Sequence, residues 1–186
     1  MELIGFQKVK DGKYLKNYEL TYLNKEGREK VYEIVSHAEL HSPKDLGSRP
    51  SGFSIVATKG EELLLLKEFR MGVNREVYNL CAGMIKPGES PEECIARELF
   101  EETGLKLCKI RKILPPSFAA VALSDISNQI AFVEVEGEPE QGHSSANEEI
   151  RGAFYDRAAV KKLLEDGHPF SSRAQIIAYF FSEGKI

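Results

Sequence analysis

Few cysteines, no excess of positive charge and no long apolar run set the first limits on this chain. Its three cysteines, Cys81, Cys94 and Cys108, are an odd number and come without a secretory leader. A disulfide framework is therefore not what holds the fold, and free thiols in a reducing cytoplasm are expected. The net charge of −4 offers no basic field, so no nucleic-acid partner is expected. No segment approaches the roughly 20 apolar residues of a membrane-spanning helix, so no membrane partner is expected either. The four histidines, His37, His41, His143 and His168, lack ligand spacing relative to one another. Repeats and low-complexity tracts are absent. What remains is a chain of 186 residues, long enough to bury a sizeable core.

Against that background the stretch Gly83 to Leu105, GMIKPGESPEECIARELFEETGL, stands out. It carries six carboxylates in 23 residues. Pro87-Gly88 marks a turn. Ser90 can cap a helix, Pro91 suits its first position, and Glu93 completes a capping box. Gly104 suits the left-handed residue past the helix end. At 100° per residue, Ile95, Ala96, Leu99, Phe100 and Thr103 share a broad, largely apolar arc expected to face a core. Glu98, Glu101 and Glu102 share the neighbouring arc, with Glu102 at the edge of the buried stripe. Arg97 precedes Glu101 by four residues and can pair with it. Cys94 projects into the acidic arc without an evident role. A charge run usually means a solvated helix face. Here the acids flank the core stripe and follow a Pro-Gly loop with its own Glu89, which points to a site for a divalent cation and, through it, a phosphate.

The same residues match the Nudix signature, G-x5-E-x7-R-E-U-x-E-E-x-G-U, where U is a bulky aliphatic residue. Gly83, Glu89, Arg97, Glu98, Leu99, Glu101, Glu102, Gly104 and Leu105 fill its nine specified positions without departure. On this motif the chain is identified as a member of the Nudix hydrolase superfamily. The resemblance implies metal-dependent cleavage of a pyrophosphate bond in a nucleoside diphosphate linked to another group, with Mg²⁺, or Mn²⁺ as a substitute. It implies that Glu98 and Glu102 are the main metal ligands, with Glu101 a further or water-mediated one. The carbonyl of Ala82 resembles a backbone ligand, and Glu89 a loop residue at the metal or its water shell. Arg97 resembles the residue that orients the glutamates.

Around the box, strands are expected at Asn17 to Leu23 and Lys30 to Ala38, joined by a turn at Asn24-Lys25-Glu26-Gly27. Further strands are expected at Phe53 to Thr58, Leu63 to Phe69, Val77 to Ala82, Cys108 to Leu114, Gln129 to Glu136 and Ile150 to Tyr155. The run ELLLLKEF reads as a strand buried on both faces. Helices are expected at Arg157 to Glu165 and Ser171 to Phe181. The pattern is a mixed α/β layered domain, and the resemblance specifies an α/β/α sandwich with a mixed sheet. Residues 1–45 are expected to form an N-terminal antiparallel β region, and 46–186 the Nudix domain.

Within the superfamily the chain is most similar to the ADP-ribose pyrophosphatase and nucleotide-sugar branch. That branch has members that dimerise through an N-terminal hairpin region, so a homodimer is expected. It carries a substrate-binding arginine where this chain has Lys67-Glu68-Phe69-Arg70. Its late catalytic loop resembles Asn147-Glu148-Glu149-Ile150, so Glu148 is a candidate for activating water and Glu149 for touching substrate. Ser124-Asp125 resembles a substrate-loop pair. Two departures stand out: Ala119 and Ala120 fall in the region where many ADP-ribose hydrolases carry a proline, and Ala146 stands where a second glutamate is common. The substrate is therefore expected to be ADP-ribose or a related nucleoside diphosphate sugar. Another dinucleotide, a modified nucleoside triphosphate, or a purely ligand-sensing role are the alternatives.

Overall fold

The computed structural model of the chain describes residues 1–140 and 148–186; His143, Ala146 and Asn147 lie outside them. The described residues form two compact units, one of residues 1–51 with 116–128, the other of residues 52–115 with 129–186.

In the first unit, strands β1 (Glu2–Asp11), β2 (Lys16–Leu23) and β3 (Glu29–Ser36) make an antiparallel sheet in the order β1-β2-β3. Gly27, with φ 74°, ends the β2–β3 turn in the left-handed region, and Asn24 caps the turn by accepting from the Glu26 and Arg28 amides. Tyr18, Leu20, Ile34 and Leu40 form a small core. The Tyr18 hydroxyl accepts from the Leu40 amide at 2.8 Å, giving the buried phenol its partner. The segment 116–128 joins this unit through a bridge from Ser124 to Val35 and the Val35 amide donating to the Leu123 carbonyl.

The second unit is built on a larger sheet. Its strands are β4 (Gly52–Lys59), β5 (Glu62–Arg70), β6 (Arg75–Asn79), β7 (Cys81–Met84), β8 (Lys106–Ile113), β10 (Ser127–Glu136) from Gln129 onward, and β11 (Ile150–Tyr155); the short β9 (Ser117–Phe118) and the first two residues of β10 fall in the segment 116–128 of the first unit. The path runs β11-β5-β4-β10-β8, with β6 on β5, β7 on β4 and β9 on the start of β10. Three helices complete the chain: α1 (Pro91–Thr103), α2 (Arg157–Glu165) and α3 (Ser172–Ser182).

The leucine run explains the layering. Leu63, Leu64, Leu65 and Leu66 are all essentially fully buried. Successive residues of a strand point to opposite faces. Leu64 and Leu66 accordingly pack with Ile95 and Leu99 of α1, while Leu63 and Leu65 pack with Val160 of α2 and with Ala174 and Ile177 of α3. A strand covered on both faces by helices gives the expected α/β/α sandwich.

Strand β1 has no counterpart among the sequence-based expectations. Most of its residues are exposed, and its second half, Gln7-Lys8-Val9-Lys10-Asp11, is mostly polar and exposed throughout. One expectation for α1 is corrected: Phe100 is 52% exposed. The buried residues of the helix are Cys94, Ile95, Glu98, Leu99 and Thr103. The covered stripe is thus centred on the Cys94–Glu98 side and leaves Phe100 outside it.

Candidate functional site

The acidic helix is held as its letters suggest. Ser90 caps α1 and Glu93 closes the capping box, Pro91 opens the helix, and Gly104 ends it with φ 73°. Glu92 and Glu93 in the first turn complement the helix dipole. Antiparallel pairing of β7 with β4 brings Ala82 and Gly83 beside the helix. Gly83 must lack a side chain there, because a Cβ would collide with the Glu98 carboxylate.

Arg97 organises one end of the site. Its Nε donates to Glu89 Oε1 at 2.6 Å and its Nη1 to Glu98 Oε1 at 2.6 Å and Glu101 Oε2 at 2.9 Å. Its Nη2 donates to Glu89 Oε2 at 2.9 Å and to the Met84 carbonyl at 3.0 Å. One guanidinium fork thus engages three carboxylates and a backbone oxygen, a use to which a lysine point charge is not suited. Arg97 and the Lys86 amide hold the Glu89 carboxyl down at about 2. Glu89 is therefore a fixed anion bound to Arg97. Cys94 lies in the same cluster: its thiol faces the Met84 carbonyl and Arg97, each at 3.7 Å, and burial pushes its pKa to about 11. It is an inert, packed thiol.

The other end is less well compensated. Burial pushes the Glu102 carboxyl up to about 8, against hydrogen bonds from the Cys81 thiol and the Ala82 amide, the latter at 3.2 Å. The charges of Glu98 and Glu68 add to the rise. Glu98, itself buried, is also raised by desolvation, with Arg97 opposing. Neighbouring acids with incomplete compensation suit a hard divalent cation. Among the described residues no three His, Cys, Asp or Glu side chains already converge as a ligand cage. The reason is visible in the bonds: Arg97 draws Glu89, Glu98 and Glu101 to itself, while Glu102 turns to Ala82 and Cys81.

Glu102 opens on a cavity of about 380 Å³ that is also lined by Ala82, Glu68, Arg70, Glu148 and Glu149. Five residues singled out from the sequence thus meet here: Arg70, Ala82, Glu102, Glu148 and Glu149. Glu98 and Glu101 stand on the same helix as Glu102, bound to Arg97. Asp125 belongs to the first unit, where its Oδ2 accepts from the Gly47 amide at 3.3 Å.

Glu68 is the wall residue the sequence reading passed over. It is 5% exposed, and its Oε1 accepts from Arg70 Nε at 2.6 Å and from Asn79 Nδ2 at 2.5 Å. Asn79 Oδ1 in turn accepts from Ser171 Oγ at 2.6 Å, tying the start of α3 to the cavity wall. A signal for Glu68 existed: alternation along β5 puts it on the face of Leu64 and Leu66, an acid at an inward position.

A NUDIX domain model matches residues 48–177. The chain is 28% identical over 135 residues to the ADP-sugar pyrophosphatase of Mus musculus, covering 70% of this chain and 59% of that protein. It is 33% identical over 73 residues to the ADP-ribose pyrophosphatase of Bacillus subtilis, covering 39% and 40%. It is 41% identical over 66 residues to the NAD-capped RNA hydrolase NudC of Stutzerimonas stutzeri, covering 36% and 21%. The chain thus spans between a fifth and three fifths of the length of these curated relatives. Among solved structures, an ADP compounds hydrolase superposes with a TM-score of 0.73 at 21% identity, covering 99% of this chain and 96% of that one, and so shares the fold.

Proposed function

We propose, from the premise that this chain belongs to the NUDIX domain family, that it is a metal-dependent pyrophosphatase acting on ADP-ribose or a related nucleoside diphosphate sugar. The products are a nucleoside monophosphate and a sugar phosphate. The observation that carries this reading is the cavity lined at once by Glu102 of the box, Glu148 and Glu149 of the late loop, and Arg70.

In this reading Glu98, Glu102 and the Ala82 carbonyl hold Mg²⁺, with Glu101 and Glu89 at the metal or its water shell. When bound, the metal neutralises the diphosphate and lowers the pKa of the attacking water. Arg97 orients Glu98 and Glu101 through the bonds described above. Arg70 offers its free guanidinium nitrogens to phosphate oxygens, its Nε being already engaged by Glu68. Glu148 accepts the proton of the attacking water, and Glu149 contacts the substrate. Asp125 is kept as a substrate contact on resemblance alone.

The N-terminal region is the proposed dimerisation element. Val31, Val121 and Leu123 are at least half exposed in the first unit, and Tyr32 and Phe118 line a cavity there. Light scattering during gel filtration should give twice the mass of the chain. Among the described residues no helix is long and apolar enough to cross a membrane.

The similarity to an NAD-capped RNA hydrolase favours a second reading, in which the preferred substrate is a dinucleotide. A single screen separates them: nucleotide sugars, dinucleotides and nucleoside triphosphates with Mg²⁺ or Mn²⁺, products identified by mass. Fastest turnover of a nucleoside diphosphate sugar supports the first reading. Fastest turnover of a dinucleotide supports the second. Stoichiometric binding with no metal-dependent release would overturn both in favour of a sensing module.

A further inference from the structure

Glu68 stands where the fold itself asks for an apolar side chain. Alternation along β5 places it after Leu64 and Leu66, on the face packed by α1. Its neighbours across the sheet are apolar too, Ile150 of β11 on one side and Val77 of β6 on the other. The residue is buried. A carboxylate is taken out of water only at a cost, and a methionine of similar length would fill the row without it. Glu68 also stands at the cavity: it lines it together with Arg70, and the strand paired to it on one side begins directly after Glu148 and Glu149.

What holds this carboxylate is a relay in which each proton has one direction. Ser171, the N-cap of α3, accepts at Oγ from the Ala174 amide at 3.3 Å, and its own proton goes to Asn79 Oδ1 at 2.6 Å. With Oδ1 taken, Asn79 turns Nδ2 to Glu68 Oε1 at 2.5 Å. The same oxygen accepts from Arg70 Nε at 2.6 Å. An ionised carboxylate only accepts, so both donors end on it. The far end of the relay is anchored in backbone: the Ser171 amide donates to the Tyr78 carbonyl at 2.9 Å, and the Tyr78 amide to the Pro169 carbonyl at 2.8 Å. Glu68 Oε1 is thereby fixed from a sheet strand and from the start of a helix, neither of which belongs to the acidic box.

The group this relay fixes is Arg70. Its side chain ends β5 half exposed, where a long side chain without a tether takes many rotamers. A guanidinium can grip a phosphate side-on, through Nε and one Nη, or end-on, through both Nη groups. With Nε on Glu68, the end-on grip is the one left. We infer that Glu68 is a positioning residue that acts through Arg70, fixing the plane of its guanidinium so that both Nη groups meet phosphate oxygens of the substrate. The inference rests on the proposed hydrolase reading for the identity of the ligand. Ordering Arg70 before the ligand arrives removes part of the entropy cost of binding, and that is what a carboxylate at this buried position contributes beyond the fold.

Two measurements on the whole protein test this. The first is calorimetric binding of inorganic pyrophosphate, in buffer containing Mg²⁺, to wild type, Glu68→Met, Glu68→Gln, Arg70→Met and Glu68→Met/Arg70→Met. Glu68→Met should weaken binding about tenfold, and Glu68→Gln, which keeps an acceptor for Arg70 Nε, should recover most of that loss. The double variant should match Arg70→Met alone within about threefold, because Glu68 acts only through that arginine. Glu68→Met leaves Asn79 Nδ2 buried without its acceptor, so Glu68→Met/Asn79→Leu is made beside it with the same prediction. The second is steady-state hydrolysis of whichever nucleotide is turned over: Glu68→Met should raise KM about tenfold with kcat within about threefold. Equal affinity in wild type and Glu68→Met, no pyrophosphate binding by wild type, Glu68→Gln as weak as Glu68→Met, or a Glu68→Met loss that recurs in full on Arg70→Met overturns the positioning role. So does failure of both Glu68→Met and Glu68→Met/Asn79→Leu to fold, which would make Glu68 a structural residue. Pyrophosphate binding that depends on Glu68 and Arg70, in a protein that turns over no nucleotide, would overturn the hydrolase reading and leave the positioning role standing.

Discussion

The two ends of the acidic site are built on opposite principles. At the Arg97 end every carboxylate is answered: Glu89, Glu98 and Glu101 share one guanidinium, with a backbone carbonyl besides. At the Glu102 end the groups are left wanting. Glu102 is pushed up to about 8 by burial, and on the same cavity Arg70 has its Nε on Glu68. The Arg97 end positions Glu98 and Glu101, whose charges Arg97 balances in the free protein. In the proposed reading the less compensated end receives a cation on its acidic side and an anion on its Arg70 side. A metal–diphosphate pair has that polarity.

The largest effect should come from removing a group at the less compensated end. Glu102→Gln should lose metal-dependent turnover by orders of magnitude while melting at or above the wild-type temperature, since a neutral amide escapes the desolvation that penalises the carboxylate. Comparing kcat and melting temperature in the two proteins checks it; a large fall in melting temperature would break the contrast. Arg97→Met addresses the Arg97 end, and there stability should suffer. Three carboxylates lose their common partner, one of them buried, at a cost of about 2–4 kcal/mol, below the full value for a buried pair because Arg97 keeps some solvent contact. Denaturant unfolding measures this, and a cost near zero would show that the network is ornamental to the fold.

Gly83→Ala should fall between these two in kind. The added methyl meets the Glu98 carboxylate, so either Glu98 leaves its position on Arg97 or β7 shifts. A stability loss of about 1–3 kcal/mol is expected, with activity falling further than stability explains. Unfolding and turnover of one preparation decide it.

The smallest effect sharpens the comparison through pH. Glu102, with a folded pKa near 8 against 4.5 when free, retains its proton longer in the folded protein. Its contribution to stability is therefore most favourable at low pH, erodes as pH rises from about 4.5 to 8, and levels off above. Glu89, at about 2, has the opposite sign: its contribution is present above about 4.5 and is lost as pH falls toward 2. In metal-free protein, Glu102→Gln should flatten the decline on the alkaline side, and Glu89→Gln should remove part of the acid-side loss. Thermal melts from pH 3 to 9 read both.

How much of this the chain announces depends on how local each feature is. The box is local: spacing, cap and turn residues all lie within one loop and one helix, so the clustering of Glu98, Glu101 and Glu102 followed from the wheel. The two-faced strand β5 was legible for the same reason, as were the bounds of β11 and α2. Phe100 was misplaced because a wheel shows which residues share an arc but not which arc meets the sheet; packing against β7 selected the Cys94–Glu98 side. Strand β1 was missed because its mostly polar second half buries none of its residues. The joining of 116–128 to the N-terminal unit, the inward Glu68 and its link through Asn79 to Ser171 depend on partners far along the chain.

The most direct measurement is proton release on Mg²⁺ binding at pH 7, by titration calorimetry in two buffers of different ionisation enthalpy. A carboxyl held near 8 must give up its proton to a cation, so wild type should release roughly one proton per Mg²⁺ bound and Glu102→Gln close to none. Absence of release from wild type, or equal release from both proteins, would contradict the assignment of Glu102 as the uncompensated acid that receives the metal.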